Sequence, residues 1–185
     1  MDKAPTVIVL ASGRGLRFRA AGGTRHKLQA LLCGVPVLQR TLDAVRSAGL
    51  PLHVEQQDHP GMGHALAAAV AATPGASGWL VLPADMPLVR PETLLSVAQA
   101  LVTGAVAAQP TLHGERGHPV GFARSQRDRL LALSGDEGAR SVLRALRSQG
   151  LVSELPTDDA GILEDIDTPQ DLQRAEALWA ERLSA

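Results

Sequence analysis

The sequence predicts an α/β domain with a mostly parallel sheet flanked by helices, on three observations. First, Thr6-Val7-Ile8-Val9-Leu10-Ala11 and Trp79-Leu80-Val81-Leu82-Pro83-Ala84 are continuous aliphatic runs rather than alternating ones, as strands buried on both faces of a parallel sheet are. Second, the segments between and after these runs carry helix punctuation, with Pro near their first turns and Gly or Pro just beyond their ends. Third, 185 residues with 45% apolar and 20% charged side chains suit one ordinary globular domain, here residues 1–185, and exclude a disordered chain.

The elements follow in order. A strand is expected over 6–11, and then a helix over 36–48, opening at Pro36 and stopping before Gly49. An Ala-rich helix over 63–73 ends at Pro74. The strand over 79–84 runs directly into Asp85. A helix over 91–102 begins with Pro91 and stops before Gly104, and a weaker strand is expected at 105–108. Alternation of buried strands with such helices means an α/β sheet with right-handed crossovers. In the less regular second half, a strand over 118–123 and a helix over 125–133 are expected. A helix over 137–148 has Asp136 as its candidate cap, and a short strand covers 151–155. The last helix opens at Thr168-Pro169-Gln170-Asp171, a capping-box arrangement with Pro at the first helical position. It carries Leu172, Ala175, Leu178, Trp179 and Leu183 at helical spacing.

Composition excludes several classes of function. Eighteen basic and 19 acidic residues leave a net charge of −1, which gives no basic excess for a nucleic-acid or membrane-surface partner. Aromatic residues are 2% with no Tyr, too few for a base-stacking platform. The single cysteine, Cys33, excludes a disulfide framework and a Cys-built zinc site and fits a reducing compartment. Met1-Asp2-Lys3-Ala4-Pro5 lacks the apolar stretch of a signal peptide, and no run is long enough for a membrane span. A cytoplasmic protein is expected. Of the 18 basic residues 16 are Arg, and the two lysines are Lys3 and Lys27. Lys27 sits in a Gly- and Arg-rich loop, where either a compact ammonium is required or a lysine has survived by chance.

In an open α/β sheet, ligands bind beyond the carboxyl ends of the strands. After the first strand comes Ala11-Ser12-Gly13-Arg14-Gly15-Leu16-Arg17-Phe18. Glycines let backbone N–H groups close around phosphate oxygens, and Arg17 and Lys27 add positive charge. The dinucleotide fingerprint fails at Phe18, and no Gly-Lys-Ser/Thr follows; an ordinary glycine turn stays open. Asp85 ends the second strand, where a carboxylate would face the crevice as a hard oxygen ligand for Mg²⁺, or would serve a turn. In Glu164-Asp165-Ile166-Asp167-Thr168-Pro169, residues two apart share a face of an extended segment, so Asp165 and Asp167 present adjacent carboxylates. Like charges so placed are costly unless a cation lies between them; alternatively Asp167 only starts the final helix. His64 opens the Ala-rich helix, where it either faces an anion at the helix N-terminus or, as the more ordinary reading, serves as a structural or solvent-facing residue. His26, His53, His59 and His113 read as loop or surface residues.

The string Leu10-Ala11-Ser12-Gly13-Arg14-Gly15-Leu16-Arg17-Phe18, with Lys27 after it, resembles the signature loop of nucleotidyltransferases, usually L-A-A-G-x-G-x-R-F-G followed by Lys. Asp85-Met86-Pro87 resembles the D-M-P after their metal-binding strand. Gly117-His118-Pro119-Val120, Gly135-Asp136-Glu137-Gly138-Ala139-Arg140 and Asp165-Ile166-Asp167-Thr168-Pro169-Gln170-Asp171-Leu172 resemble later blocks of the MobA-like NTP transferases, especially the molybdenum cofactor cytidylyltransferases. The blocks stand in order from residue 7 to about 175.

The resemblance implies a Rossmann-like nucleotidyltransferase domain that binds an NTP and Mg²⁺ and transfers a nucleoside monophosphate to a phosphate, releasing pyrophosphate. Leu10, Ala11, Ser12, Gly13, Gly15 and Arg17 would hold the nucleotide, Lys27 its phosphates, and Asp85 with Asp167, helped by Asp165, the metal. Lys27, Arg17 and Asp85 would carry catalysis. His64, His118 and Arg140 are candidates for acceptor binding. A pterin phosphate is the implied acceptor, and a molybdoenzyme or its chaperone the implied receiver of product. Ser12 departs from the family's second Ala and Arg19 from its Gly; relatives with Gly at the position of Ser12 use GTP. Ser12 is nearer Ala in size, so CTP is favoured over GTP. A guanylyltransferase, a transferase acting on a sugar or polyol phosphate, and a non-catalytic nucleotide-binding module remain alternatives.

Overall fold

The computed structural model describes residues 4–13, 16–24 and 26–184. At its centre, β1 (Thr6–Leu10) lies between β4 (Leu52–Glu55) and β5 (Gly78–Pro83), parallel to both. Beyond β5 the sheet becomes mixed. β8 (Val120–Ala123) is antiparallel to β5 and to β6 (Ala107–Leu112), whose other neighbours are antiparallel β7 (Glu115–Arg116) and parallel β9 (Val152–Pro156). The first half is thus the parallel sheet that the sequence predicts.

Burial on both faces explains the unbroken apolar runs of β1 and β5. Val7, Val9, Leu80 and Leu82 face one core with Val37, Leu42 and Val45 of α2 (Val37–Ser47) and Leu94 and Val97 of α4 (Pro91–Val102). Ile8, Trp79 and Val81 face the other, with Leu66 and Val70 of α3 (Met62–Ala72), Leu130 of α5 (Arg127–Leu131), and Val142 and Leu146 of α6 (Arg140–Ser148). Neighbouring residues of one strand therefore serve opposite layers.

Several boundaries differ from the sequence expectation. The third strand covers 107–112 instead of 105–108, because Gln109 inside it is satisfied by Gly117 O at 3.0 Å and by Arg147 at 2.7 Å. The helix expected over 137–148 starts only at Arg140, and Asp136 does not cap it; Gly135 and Gly138 take φ of +69° and +57°, which breaks the helix before Ala139. A short helix α1 (Leu16–Ala20) and a hairpin of β2 (Leu31–Leu32) and β3 (Val35–Pro36) also lie outside the expected elements.

The final helix α7 (Pro169–Ser184) opens as predicted. Thr168 N and Oγ1 donate to Asp171 Oδ2 at 2.7 and 2.8 Å, and Asp171 N donates back to Thr168 Oγ1 at 3.2 Å. Further along, the guanidinium groups of Arg40 and Arg182 lie over the Trp179 ring, 4.1 and 5.9 Å from its centre. The Asp171 carboxyl carries a stability consequence. Burial alone would raise its pKa, but the hydrogen bonds from Thr168 and Asp167 outweigh that and hold it below the usual aspartate value. Its contribution is therefore complete above the unfolded pKa and lost as pH falls through the folded one. Asp171→Ala is expected to cost about 1 kcal/mol at neutral pH. Urea unfolding should show that difference shrinking on acidification below the ordinary aspartate range.

Candidate active site

The carboxyl ends of β4, β1 and β5 open into a cleft of about 490 Å³. Leu10, Ser12 and Gly13 form its middle wall, Ala84 and Asp85 with Lys27 and Leu28 one end, and Asp58, His59, Pro60 and Gly61 the other. This is where an open sheet places a ligand.

Lys27 is the centre of one end. It begins a single 3₁₀ turn, and its Nζ donates to Asp85 Oδ2 at 2.5 Å and to Asp167 Oδ1 at 2.7 Å. The remaining Asp167 oxygen accepts from the Arg17 guanidinium. Only the fold brings these groups together. Asp85 follows β5, Lys27 precedes the β2–β3 hairpin, and Asp167 precedes α7, with Ile166 N bound to Asp85 O at 3.0 Å to fix the two acidic segments side by side. The Lys27 side chain is 14% exposed. Burial by itself would lower its pKa, but the two carboxylates outweigh that and raise it.

Asp165 lies at the rim. Desolvation raises its pKa first, and the charges of Asp85 and Asp167 raise it further. The sequence alone suggested carboxylates that repel until a metal ion separates them. In the structure the separating cation is the ammonium of Lys27. Among the described residues no group of three or more His, Cys, Asp or Glu forms a metal cage. The donor set of Asp85 and Asp167 still suits Mg²⁺. That ion commonly takes one or two carboxylates and completes its shell with water and substrate phosphates.

The glycine loop is held from below by His26. Its Nδ1 accepts from Leu28 N at 3.3 Å, so its Nε2 carries the proton and donates to Gly13 O at 2.9 Å. Gly13 lines the cleft, and among the described residues no atom lies within 4 Å of where a Cβ on it would stand. Gly15 lies outside the described residues.

The three candidate acceptor residues separate. His118 precedes β8, close enough to feel the charges of Asp85 and Arg140; burial lowers its pKa, and its Nδ1 is buried without a hydrogen-bond partner among the described residues. Arg140 is exposed at the start of α6. His64 belongs elsewhere. Its Nδ1 accepts from Gly135 N at 3.3 Å, and Gly63 N donates to Gly135 O at 2.8 Å, so the N-terminus of α3 binds the 134–136 loop and His64 takes the structural role that was the alternative to an anion contact. Gly61 and Gly63 permit this contact, since a Cβ at either would stand 2.4 and 2.5 Å from backbone oxygens of that loop.

Three further residues were not singled out by the sequence. Glu55, the buried last residue of β4, has His59 Nε2 3.2 Å from Oε1 and His53 Nε2 3.6 Å from Oε2. Burial would raise the Glu55 pKa, but the Gln57 amide and the two imidazoles more than compensate and lower it. The available signal was spacing: residues 53 and 55 share a strand face, and 59 follows in the next turn of chain.

The fold with this cleft defines a nucleotidyltransferase-like α/β domain. A nucleotidyl transferase from Methanothermobacter (Mth528) superposes with a TM-score of 0.82 at 20% identity, over 98% of this chain and all of that one. The model of the MobA-like NTP transferase domain matches residues 7–150, and the chain belongs to that family. Rv0371c from Mycobacterium tuberculosis H37Rv, whose structure was also determined with manganese, gives a TM-score of 0.77 at 25% identity over 96% of this chain and 99% of its own. The bifunctional protein GlmU of Xanthobacter autotrophicus is 31% identical over 89% of this chain but only 42% of its own length. The chain spans about a third of several further GlmU proteins. Among the described residues, no helix is long and apolar enough to cross a membrane.

Proposed function

We propose that residues 1–185 act as one cytoplasmic domain that transfers CMP from CTP to the phosphate of a pterin, molybdopterin, and releases pyrophosphate. The observation that carries this reading is the convergence of Lys27, Arg17, Asp85 and Asp167 beside the glycine loop that lines the cleft. An acceptor phosphate oxygen attacks the α-phosphorus in line; the new P–O bond forms as the bond to the β-phosphate breaks. Both partners are anionic, so alignment and charge neutralisation do the work of catalysis. Lys27 and Arg17, released from the carboxylates, take the negative charge of the departing pyrophosphate. The amides of Ser12, Gly13 and Gly15 hold the triphosphate, with Leu10 and Ala11 beneath it. Asp85 and Asp167, with Asp165 close by, would hold Mg²⁺, which would supply neutralisation of the phosphate charge. His118, which feels the charges of both Asp85 and Arg140, and Arg140 itself are the acceptor contacts, and a molybdoenzyme or its chaperone receives the product.

Pyrophosphate release with each of four NTPs, with and without Mg²⁺ and with pterin, sugar or polyol phosphates as acceptors, tests the reading. Metal-dependent release with CTP and the pterin alone is the expected pattern. Release only with a sugar phosphate moves the enzyme to another acceptor class, and no release in any mixture leaves a binding module. Ser12 sets a narrower expectation. Its side chain is close in size to Ala, and trimming it opens room beneath the base, so Ser12→Gly should reduce the CTP:GTP ratio of kcat/KM by about tenfold. An unchanged ratio removes Ser12 from base selection.

A further inference from the structure

Asp136 lacks the role that its place in the sequence suggests. It does not cap α6, which opens at Arg140 with Ala139 as its N-cap. Nor does its carboxylate have a hydrogen-bond or ion-pair partner among the described residues. It lines the cleft instead, with Oδ1 2.6 Å from the place where a Cβ on Gly61 would stand.

The loop that carries Asp136 is fixed on both sides of it. Before it, Gly135 O accepts from Gly63 N at 2.8 Å, and Gly135 N donates to His64 Nδ1 at 3.3 Å. After it, Gly138 lies so close to Met62 that a Cβ there would come within 3.0 Å of the sulfur. The carboxylate is thus set beside the start of α3 before any ligand arrives, as a preorganised acceptor is.

Gly61 belongs to the end of the cleft away from Lys27. Phosphates belong at Lys27 and the glycine loop, a placement that rests on the nucleotidyltransferase reading above, and a lone carboxylate repels them. Asp136 therefore meets the nucleoside part of the ligand. An ionised carboxylate only accepts hydrogen bonds, so its partner must donate. Every ribonucleotide offers two adjacent donors, the 2′ and 3′ hydroxyls, whereas an exocyclic amine is present on some bases only. A carboxylate on the ribose 2′ hydroxyl is also how dinucleotide sites on open α/β sheets use an acidic residue. We infer that Asp136 binds the ribose hydroxyls of the nucleotide and so selects ribonucleotides over 2′-deoxyribonucleotides.

The test is equilibrium binding of CTP, 2′-deoxy-CTP and UTP in Mg²⁺ to the unmodified chain, to Asp136→Ala and to Asp136→Asn. The unmodified chain should bind CTP about tenfold more tightly than 2′-deoxy-CTP, as expected for one hydrogen bond to a charged group. Asp136→Ala should weaken CTP and UTP by the same factor, about tenfold. It should leave 2′-deoxy-CTP unchanged or slightly tighter, because a negative charge has left the cleft. Asp136→Asn keeps one acceptor oxygen and should fall between the two. A carboxylate that merely repelled phosphates or held the loop would shift all three nucleotides together, and that result overturns the inference. So does equal binding of CTP and 2′-deoxy-CTP to the unmodified chain, or a loss in Asp136→Ala confined to CTP and absent with UTP. Each of these leaves the nucleotidyltransferase reading standing. No binding of any of the three nucleotides overturns both.

Discussion

Asp85→Asn should lower metal-dependent pyrophosphate release by about a thousandfold, and Asp167→Asn should do the same. Each removes one of the two hard oxygen donors available to a divalent ion, together with charge aimed at the reacting phosphates. The same substitutions test the structural side of the arrangement. Two carboxylates facing each other across an empty crevice would repel, and neutralising one would leave the protein equally or more heat-stable. In the structure each instead accepts from the ammonium of Lys27, at 2.5 and 2.7 Å. Asp85→Asn should therefore lower stability by about 1–3 kcal/mol, since it removes one partner of a largely buried charge. Steady-state release assays and thermal unfolding of the same preparations check both halves. Turnover within tenfold of the unmodified protein would defeat the assignment of Asp85.

Lys27→Ala should reduce turnover by about a hundredfold, the cost of losing one donor that stabilises the leaving pyrophosphate. It should have a second effect of opposite sign. The ammonium occupies the position between Asp85 and Asp167, so any divalent ion without nucleotide must compete with it. Removing it should tighten the binding of Mn²⁺ to the nucleotide-free protein by about tenfold, as Asp85 and Asp167 are left facing each other without the ammonium between them, Arg17 still pairing with one Asp167 oxygen. Titration calorimetry with Mn²⁺ measures this directly, and unchanged or weaker Mn²⁺ binding would show that the two carboxylates are not a shared metal site. The raised pKa of Lys27 fixes the pH range of the comparison. A raised lysine contributes fully below its unfolded pKa and loses its contribution only as pH rises through the folded value. Assays from slightly acidic to mildly alkaline pH therefore all see the charged form.

Much of this architecture is written in local sequence. Strands buried on both faces leave unbroken apolar runs, which is why β1 and β5 stand out, and the Thr168–Asp171 cap can be read from four residues. β4 carried no such mark: its Leu52, His53 and Val54 are only half-buried at the edge of the sheet. β6 was displaced in the reading because Gln109-Pro110-Thr111 looks like a loop until Gly117 and Arg147 satisfy the Gln109 amide. At the site, residue types announced Lys27, Asp85 and Asp167, while the direct contact of Lys27 with both carboxylates depends on three distant segments. The Glu55–His59 contact was hidden for another reason. A histidine in a polar loop looks solvated unless the buried carboxylate beneath it is visible.

The position of Asp167 has a thermodynamic consequence. It lies beyond residues 7–150, immediately before the Thr168–Asp171 cap of a helix held at its far end by the contacts of Trp179 with Arg40 and Arg182. Any local opening that frays the first turn of that helix removes one wall of the charged cluster. By linkage, whatever binds the completed cluster must also suppress that opening. Amide hydrogen exchange along 169–184 thus becomes a remote gauge of cleft occupancy: saturating metal and nucleotide should slow exchange in a helix that touches neither.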